Sequence, residues 1–177
     1  MLSAEQVAQF HEQGFLNSGL VLGDNEVELL RRELERVIEQ HDSLERKPVL
    51  FRNLSRHKDV AVWQIVNIWM ASEPFRQLMM HRKITEEVVQ LSAASPIRIW
   101  HDQIVYKPAE TGGVNMWHQD APLWPVIEPM AGVAAWIALD DVDESNGCMS
   151  MVHRLSLLGR RHAIPRGPFR SCSARRI

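Results

Sequence analysis

In the first half of the chain, apolar positions recur at helical spacing. Val7 and Phe10 form a short stripe behind Ser3, Gln6 stands three residues after that serine, and Gly14 closes the segment, so a capped helix is predicted. Asp24 reads as a second N-cap, and Val27, Leu30, Leu34, Val37 and Ile38 follow it at i, i+3, i+4 spacing. The Glu33/Arg36 and Glu35/Glu39 charges fall on what reads as the solvated face of that helix. Residues 42–60 are mixed and polar, which predicts a loop with some short structure. Ser72 ahead of Pro74 marks another helix start, because proline in a first turn gives up an N–H that has no partner there. Phe75, Leu78 and Met79 continue it, and Ile84, Val88 and Leu91 predict a further helix that ends by Pro96.

After Pro96 the period changes to two. Ile97, Ile99, His101, Gln103 and Val105 would share one face of a strand. Residues 107–113 (KPAETGG) form a loop, and 116–118 a short extended piece. Three prolines between 121 and 129 exclude a regular central strand. Residues 131–142 read as a buried strand, Asn146-Gly147 as a hairpin turn, and Cys148 to Val152 as the start of the next strand. Helices first and antiparallel strands second predict an α+β domain, or a β-barrel or jelly roll decorated with helices.

A length of 177 residues fits one domain with a real core, and 45% hydrophobic with 24% charged residues excludes collagen-like, coiled-coil and wholly disordered chains. The longest apolar run, 130–139, is short of the ~18 residues of a membrane span. The opening residues show no basic start or apolar stretch of a signal peptide, and Cys148 and Cys172 make no disulfide framework, so a reducing, cytoplasmic setting is expected. There is no internal repeat. The net charge of −2 hides a break: residues 1–152 carry −9, while 153–177 hold seven arginines and no acid.

The strongest chemical signal is Trp117-His118-Gln119-Asp120. An H-x-D pair on an extended segment brings an imidazole and a carboxylate together, two of the three protein ligands of a non-haem Fe(II) facial triad. By itself the tripeptide reads more readily as a histidine paired with an aspartate on a loop. His101-Asp102 is a second such pair, but strand neighbours point to opposite faces, so it reads as structural. No GxSxG, HExxH, P-loop or CxxC is present, which argues against serine hydrolases, zincins, phosphate-loop enzymes and zinc ribbons.

The ordered set Tyr106-Lys107-Pro108, His118-Gln119-Asp120, Trp136-Ile137-Ala138-Leu139-Asp140 and Asn146-Gly147-Cys148-Met149, with Phe10-His11-Glu12-Gln13-Gly14-Phe15 near the start, resembles the phytanoyl-CoA dioxygenase family of Fe(II)/2-oxoglutarate oxygenases over roughly residues 2–152. The resemblance implies a double-stranded β-helix, jelly-roll or cupin-like, with N-terminal helices packed on it and incomplete in this chain. It implies His118 and Asp120 as metal ligands, and Gln103, Trp136 and, more remotely, Gln64 beside the co-substrate. Without it, Trp136 reads as a core tryptophan and Gln103 as a satisfied polar group. The implied reaction hydroxylates a small-molecule substrate with O2 and 2-oxoglutarate, releasing succinate and CO2. The family's halogenating relatives lose the carboxylate at Asp120, so its presence points to hydroxylation.

After Val152 the family's Pro-Gly-Ser-His turn, third-ligand histidine and basic co-substrate partner do not follow. His153 and His162 are the only later histidines, and Arg160, Arg161 and Arg166 the candidate basic partners. Residues 153–177 are therefore expected to be a basic, disordered tail outside the family pattern, arising from a frameshift or an alternative end. Two further readings follow: an inactive remnant of such an enzyme, or a binding protein whose basic tail meets a polyanion without specific nucleic-acid recognition.

Overall fold

The computed structural model describes residues 1–55, 62–110, 113, 115, 117–127, 132–153 and, as backbone, 169–171. The chain divides into two compact units, one formed by 1–21, 83–95 and 116–177, the other by 22–82 and 96–115.

In the first unit, helix α1 (Ala4–Gln13) has the predicted capping box, with Ser3 Oγ accepting from the Gln6 N–H, and Gly14 closes it at φ 86°. Helix α4 (Arg82–Ser92) has its body here and buries Leu91. The Gln90 carboxamide holds the chain start by accepting from the Leu2 N–H at 2.9 Å and donating to the Leu2 carbonyl at 3.3 Å. Strand β4 (Ser150–Val152) pairs antiparallel with β5 (Phe169–Ser171).

The second unit contains α2 (Asp24–Glu39), β1 (Leu50–Asn53), β2 (Trp63–Val66), a 3-10 turn at Ile68–Met70, α3 (Glu73–Met79) and β3 (Gln103–Tyr106). Gly23, one residue before the expected cap, precedes α2, and the Glu26 carboxylate accepts from its N–H at 2.8 Å. Val27, Leu30, Leu34 and Val37 are buried as the spacing predicts, and Ile38 is half-buried. Phe75, Ile65, Ile68 and Val37 are the largest fully buried side chains, each worth ~1.5–3 kcal/mol of burial.

The three strands form one antiparallel sheet in the order β1-β2-β3. Register places Phe51 and Ile104 opposite Ile65, and Arg52 and Val105 opposite Gln64. Ile65 is buried, whereas Arg52, Gln103 and Val105 are exposed, so the two faces of the pleat divide into a core side and an open side.

Three expectations are corrected. The strand predicted across 97–105 covers only Gln103–Tyr106. Its partner β2 ends at Val66, where Asn67 turns left-handed (φ 59°) into the 3-10 turn; the Asn67 N–H takes the Asp102 carbonyl, and earlier residues have no ladder to join. Residues 132–141 form no strand, and Val142 makes a single bridge. An apolar run becomes a strand only where a neighbour accepts its backbone hydrogen bonds. Glu33 and Arg36 are half-buried rather than on a solvated face. Arg36 donates to Glu33 at 2.8 and 3.0 Å and to the Ala71 carbonyl at 2.7 Å, and Ser72 Oγ donates to Glu33 Oε2 at 2.7 Å, clasping α2 to the start of α3. Glu35 and Glu39 are exposed as expected.

The Arg36 hydrogen bond holds the Glu33 carboxyl below the usual range, so this pair contributes stability above pH ~4.5 that is lost as falling pH protonates Glu33. Arg36→Ala strands a half-buried carboxylate and the Ala71 carbonyl. It is expected to cost about 1–3 kcal/mol in urea unfolding at pH 7, and the gap from wild type should narrow below pH 4.

Candidate functional site

His118 and Asp120 lie together on the segment that enters a 3-10 turn at Ala121–Leu123. His118 Nε2 is 3.4 Å from Asp120 Oδ1, and the side chains are 53% and 44% exposed. Pro122 stands inside the turn, which begins directly after the carboxylate and fixes the backbone there. A nitrogen and an oxygen bound to one first-row dication at right angles, with bonds of ~2.1 Å, lie about 3 Å apart. The observed separation is close to that, and both groups reach solvent, so the pair fits two positions of a metal's coordination shell. Among the described residues no group of three His, Cys, Asp or Glu side chains is placed to hold a metal. His153, which is described, therefore does not complete a set. His162, Arg160, Arg161 and Arg166 lie outside the described residues, as does most of the basic tail.

Trp136, in the same unit as His118 and Asp120, is 43% exposed on a stretch without regular structure. The core reading of this tryptophan is thus corrected, because its own stretch, 132–141, forms no strand and leaves the ring exposed. Gln64 and Gln103 belong to the second unit and meet directly: Gln64 Nε2 donates to Gln103 Oε1 at 2.9 Å. Sequence reasoning named both glutamines but missed a third member. Arg52 Nε donates to Gln64 Oε1 at 2.8 Å, which completes a row of side chains across all three strands. Only the strand register reveals it, since Arg52 lies in the stretch predicted as loop.

Asp102 sits just ahead of β3 rather than within it. Burial pushes its carboxyl up to about 6, against the opposing pull of the Trp69 N–H, and its Oδ1 finds no hydrogen-bond partner among the described residues. The opposite-faces argument for His101-Asp102 does not apply, because both residues precede β3. A carboxyl raised in the folded state stabilises the fold fully below pH ~3.8, and that contribution is lost as pH rises through 6. Asp102→Asn is expected to raise the thermal midpoint at pH 7.5 by a few degrees, on the order of 1 kcal/mol after solvent screening, and to leave it unchanged at pH 4. Melting curves from pH 4 to 8 check this.

The family model for phytanoyl-CoA dioxygenase (PhyH) matches residues 10–155. Rat peroxisomal phytanoyl-CoA dioxygenase is 26% identical over 164 residues, covering 84% of this chain and 46% of that protein. The ectoine dioxygenase of Streptomyces avermitilis is 25% identical over 175 residues, covering 96% of this chain and 57% of that one. This chain thus spans about half the length of the curated relatives it matches. The crystal structure of SnoK, a non-heme alpha ketoglutarate dependent carbocyclase from nogalamycin biosynthesis, superposes with a TM-score of 0.77 at 25% identity, over 98% of this chain and 71% of that chain.

Proposed function

This chain belongs to the phytanoyl-CoA dioxygenase family, and on that premise we propose that it carries the metal-binding part of an Fe(II)/2-oxoglutarate-dependent dioxygenase acting on a small molecule. The observation that carries the reading is the His118–Asp120 pair, an imidazole nitrogen and a carboxylate oxygen 3.4 Å apart on one short segment. These two side chains would hold the iron. Bound there with 2-oxoglutarate and O2, the metal supplies oxidative decarboxylation to succinate and CO2 coupled to hydroxylation of an unactivated C–H bond.

The chain's own residues do the positioning. His118 would offer an imidazole nitrogen and Asp120 a carboxylate oxygen to the cation. Gln103, with Gln64 beside it, offers amide donors to a co-substrate carboxylate. Trp136 supplies an exposed aromatic surface in the unit that holds the metal pair. We propose a double-stranded β-helix as the fold to which this chain contributes, a reading supported by the likeness to SnoK.

A second reading is a family member without catalytic activity, which keeps the His118–Asp120 pair but does not turn over 2-oxoglutarate. A single assay separates the two. The active reading predicts O2-dependent release of CO2 from 2-oxoglutarate when Fe(II) is supplied, reduced at least 100-fold in both His118→Ala and Asp120→Ala. A folded wild-type chain whose CO2 release is no greater than that of His118→Ala supports the inactive reading.

A further inference from the structure

The open face of the three-stranded sheet carries a row of polar side chains with a fixed direction. Arg52 stands directly opposite Gln64, and Gln103 lies diagonally from Gln64, two residues from its direct partner Val105. Long side chains span both separations. A guanidinium has only donors, so Gln64 must turn its oxygen towards Arg52. The other branch of that planar amide is then an NH2 group, which donates to Gln103 Oε1. Gln103 in turn must direct its own NH2 away from Gln64. The orientation of both amides, ordinarily ambiguous, is here dictated by the arginine at the end of the row. Each bond in such a chain polarises the next, so the terminal N–H donors of Gln103 are strengthened by a charge two strands away.

From this we infer that Arg52 is a positioning residue: through Gln64 it fixes the Gln103 carboxamide with its N–H donors outward, set to bind a carboxylate of the co-substrate. The inference rests on the reading above that Gln103 faces 2-oxoglutarate. The competing account is an ordinary cross-strand ladder that supports the sheet and has no effect on ligand binding. It differs in one respect. A relay depends on the direction of its hydrogen bonds, whereas a ladder depends only on their presence. Arg52→Lys keeps a donor-only end and preserves the direction. Arg52→Glu reverses it, since a carboxylate draws the Gln64 NH2 towards itself and leaves Gln103 presenting its oxygen. Gln64→Leu cuts the row and leaves the Arg52 charge in place.

The test is the affinity of the full chain for 2-oxoglutarate in the presence of Zn(II), read by tryptophan fluorescence, together with the 15N-resolved side-chain amide signal of Gln103 in the ligand-free protein. Arg52→Lys should bind within threefold of wild type and leave the Gln103 signal in place. Arg52→Glu and Gln64→Leu should each bind about tenfold more weakly, the scale of one hydrogen bond to a charged group, and move that signal. The double variant Arg52→Glu/Gln64→Leu should bind no worse than Gln64→Leu, because a cut relay no longer transmits what stands at position 52. Should Gln64→Leu fail to fold, Gln64→Glu serves, since it keeps the Arg52 bond and cannot donate to Gln103.

Wild-type affinity in Gln64→Leu, or a double variant weakened beyond Gln64→Leu by the full Arg52→Glu factor, overturns the relay. So does a wild-type chain that takes up no 2-oxoglutarate, with metal or without. Affinity that depends on Arg52 but is indifferent to His118→Ala sustains the relay and removes the iron-centre reading. Metal binding through His118 with 2-oxoglutarate affinity indifferent to Arg52 and Gln64 does the opposite.

Discussion

The pleat of the central strand is the constraint on which the second unit depends. Strand β2 has two jobs on adjacent residues: Ile65 is fully buried, and Gln64 links the strands on either side. A strand's period of two allows both at once, and a slip of one residue would exchange them, burying an amide and exposing an isoleucine. Burial of Ile65 with Ile68 and Phe75 therefore fixes the register that aligns Arg52, Gln64 and Gln103. The apolar core and the polar face are one solution to one geometric condition. The clasp of Glu33, Arg36 and Ser72 holds α2 to the start of α3, which brings Phe75 into that core.

Local signals were legible in the sequence and non-local ones were not. The capping box at Ser3 and Gln6, the glycine stop at position 14, the apolar stripe from Val27 to Val37 and the proline start after Ser72 all act within one or two turns of chain, and each is observed. The sheet is different. Gln64 and Gln103 are 39 residues apart, and nothing near either announces the other. The apolar content of residues 132–141 suggested a strand, but a strand is defined by its partner, and period and composition carry no information about partners. Arg36 was misplaced for a related reason. Helical spacing assigns it to a polar face, and only the packed α3 start shows that this face meets a carbonyl and a serine.

The chemistry divides in the same way. His118 and Asp120 were legible because they are two residues apart and belong to a motif set in a particular order. The structure brings their donor atoms close without any long-range contact being needed. Gln103 and Gln64 were named through the family resemblance, outside its motifs, yet what they do together depends on Arg52, which the resemblance does not include. Family membership is carried by residues 10–155, and the relatives extend well beyond the length matched here. Ligand donors that are local in sequence can be read from this chain, whereas those contributed by distant segments cannot.

The most direct measurement of the central claim is an anaerobic titration of the chain with Fe(II) followed by 2-oxoglutarate, recorded in the visible range. An iron held by His118 and Asp120 and chelated by the 2-oxo acid gives a broad charge-transfer band that saturates at one equivalent and is lost in His118→Ala. A folded chain that gives no band, or one that survives that substitution, contradicts the assignment of His118 and Asp120 as the metal pair.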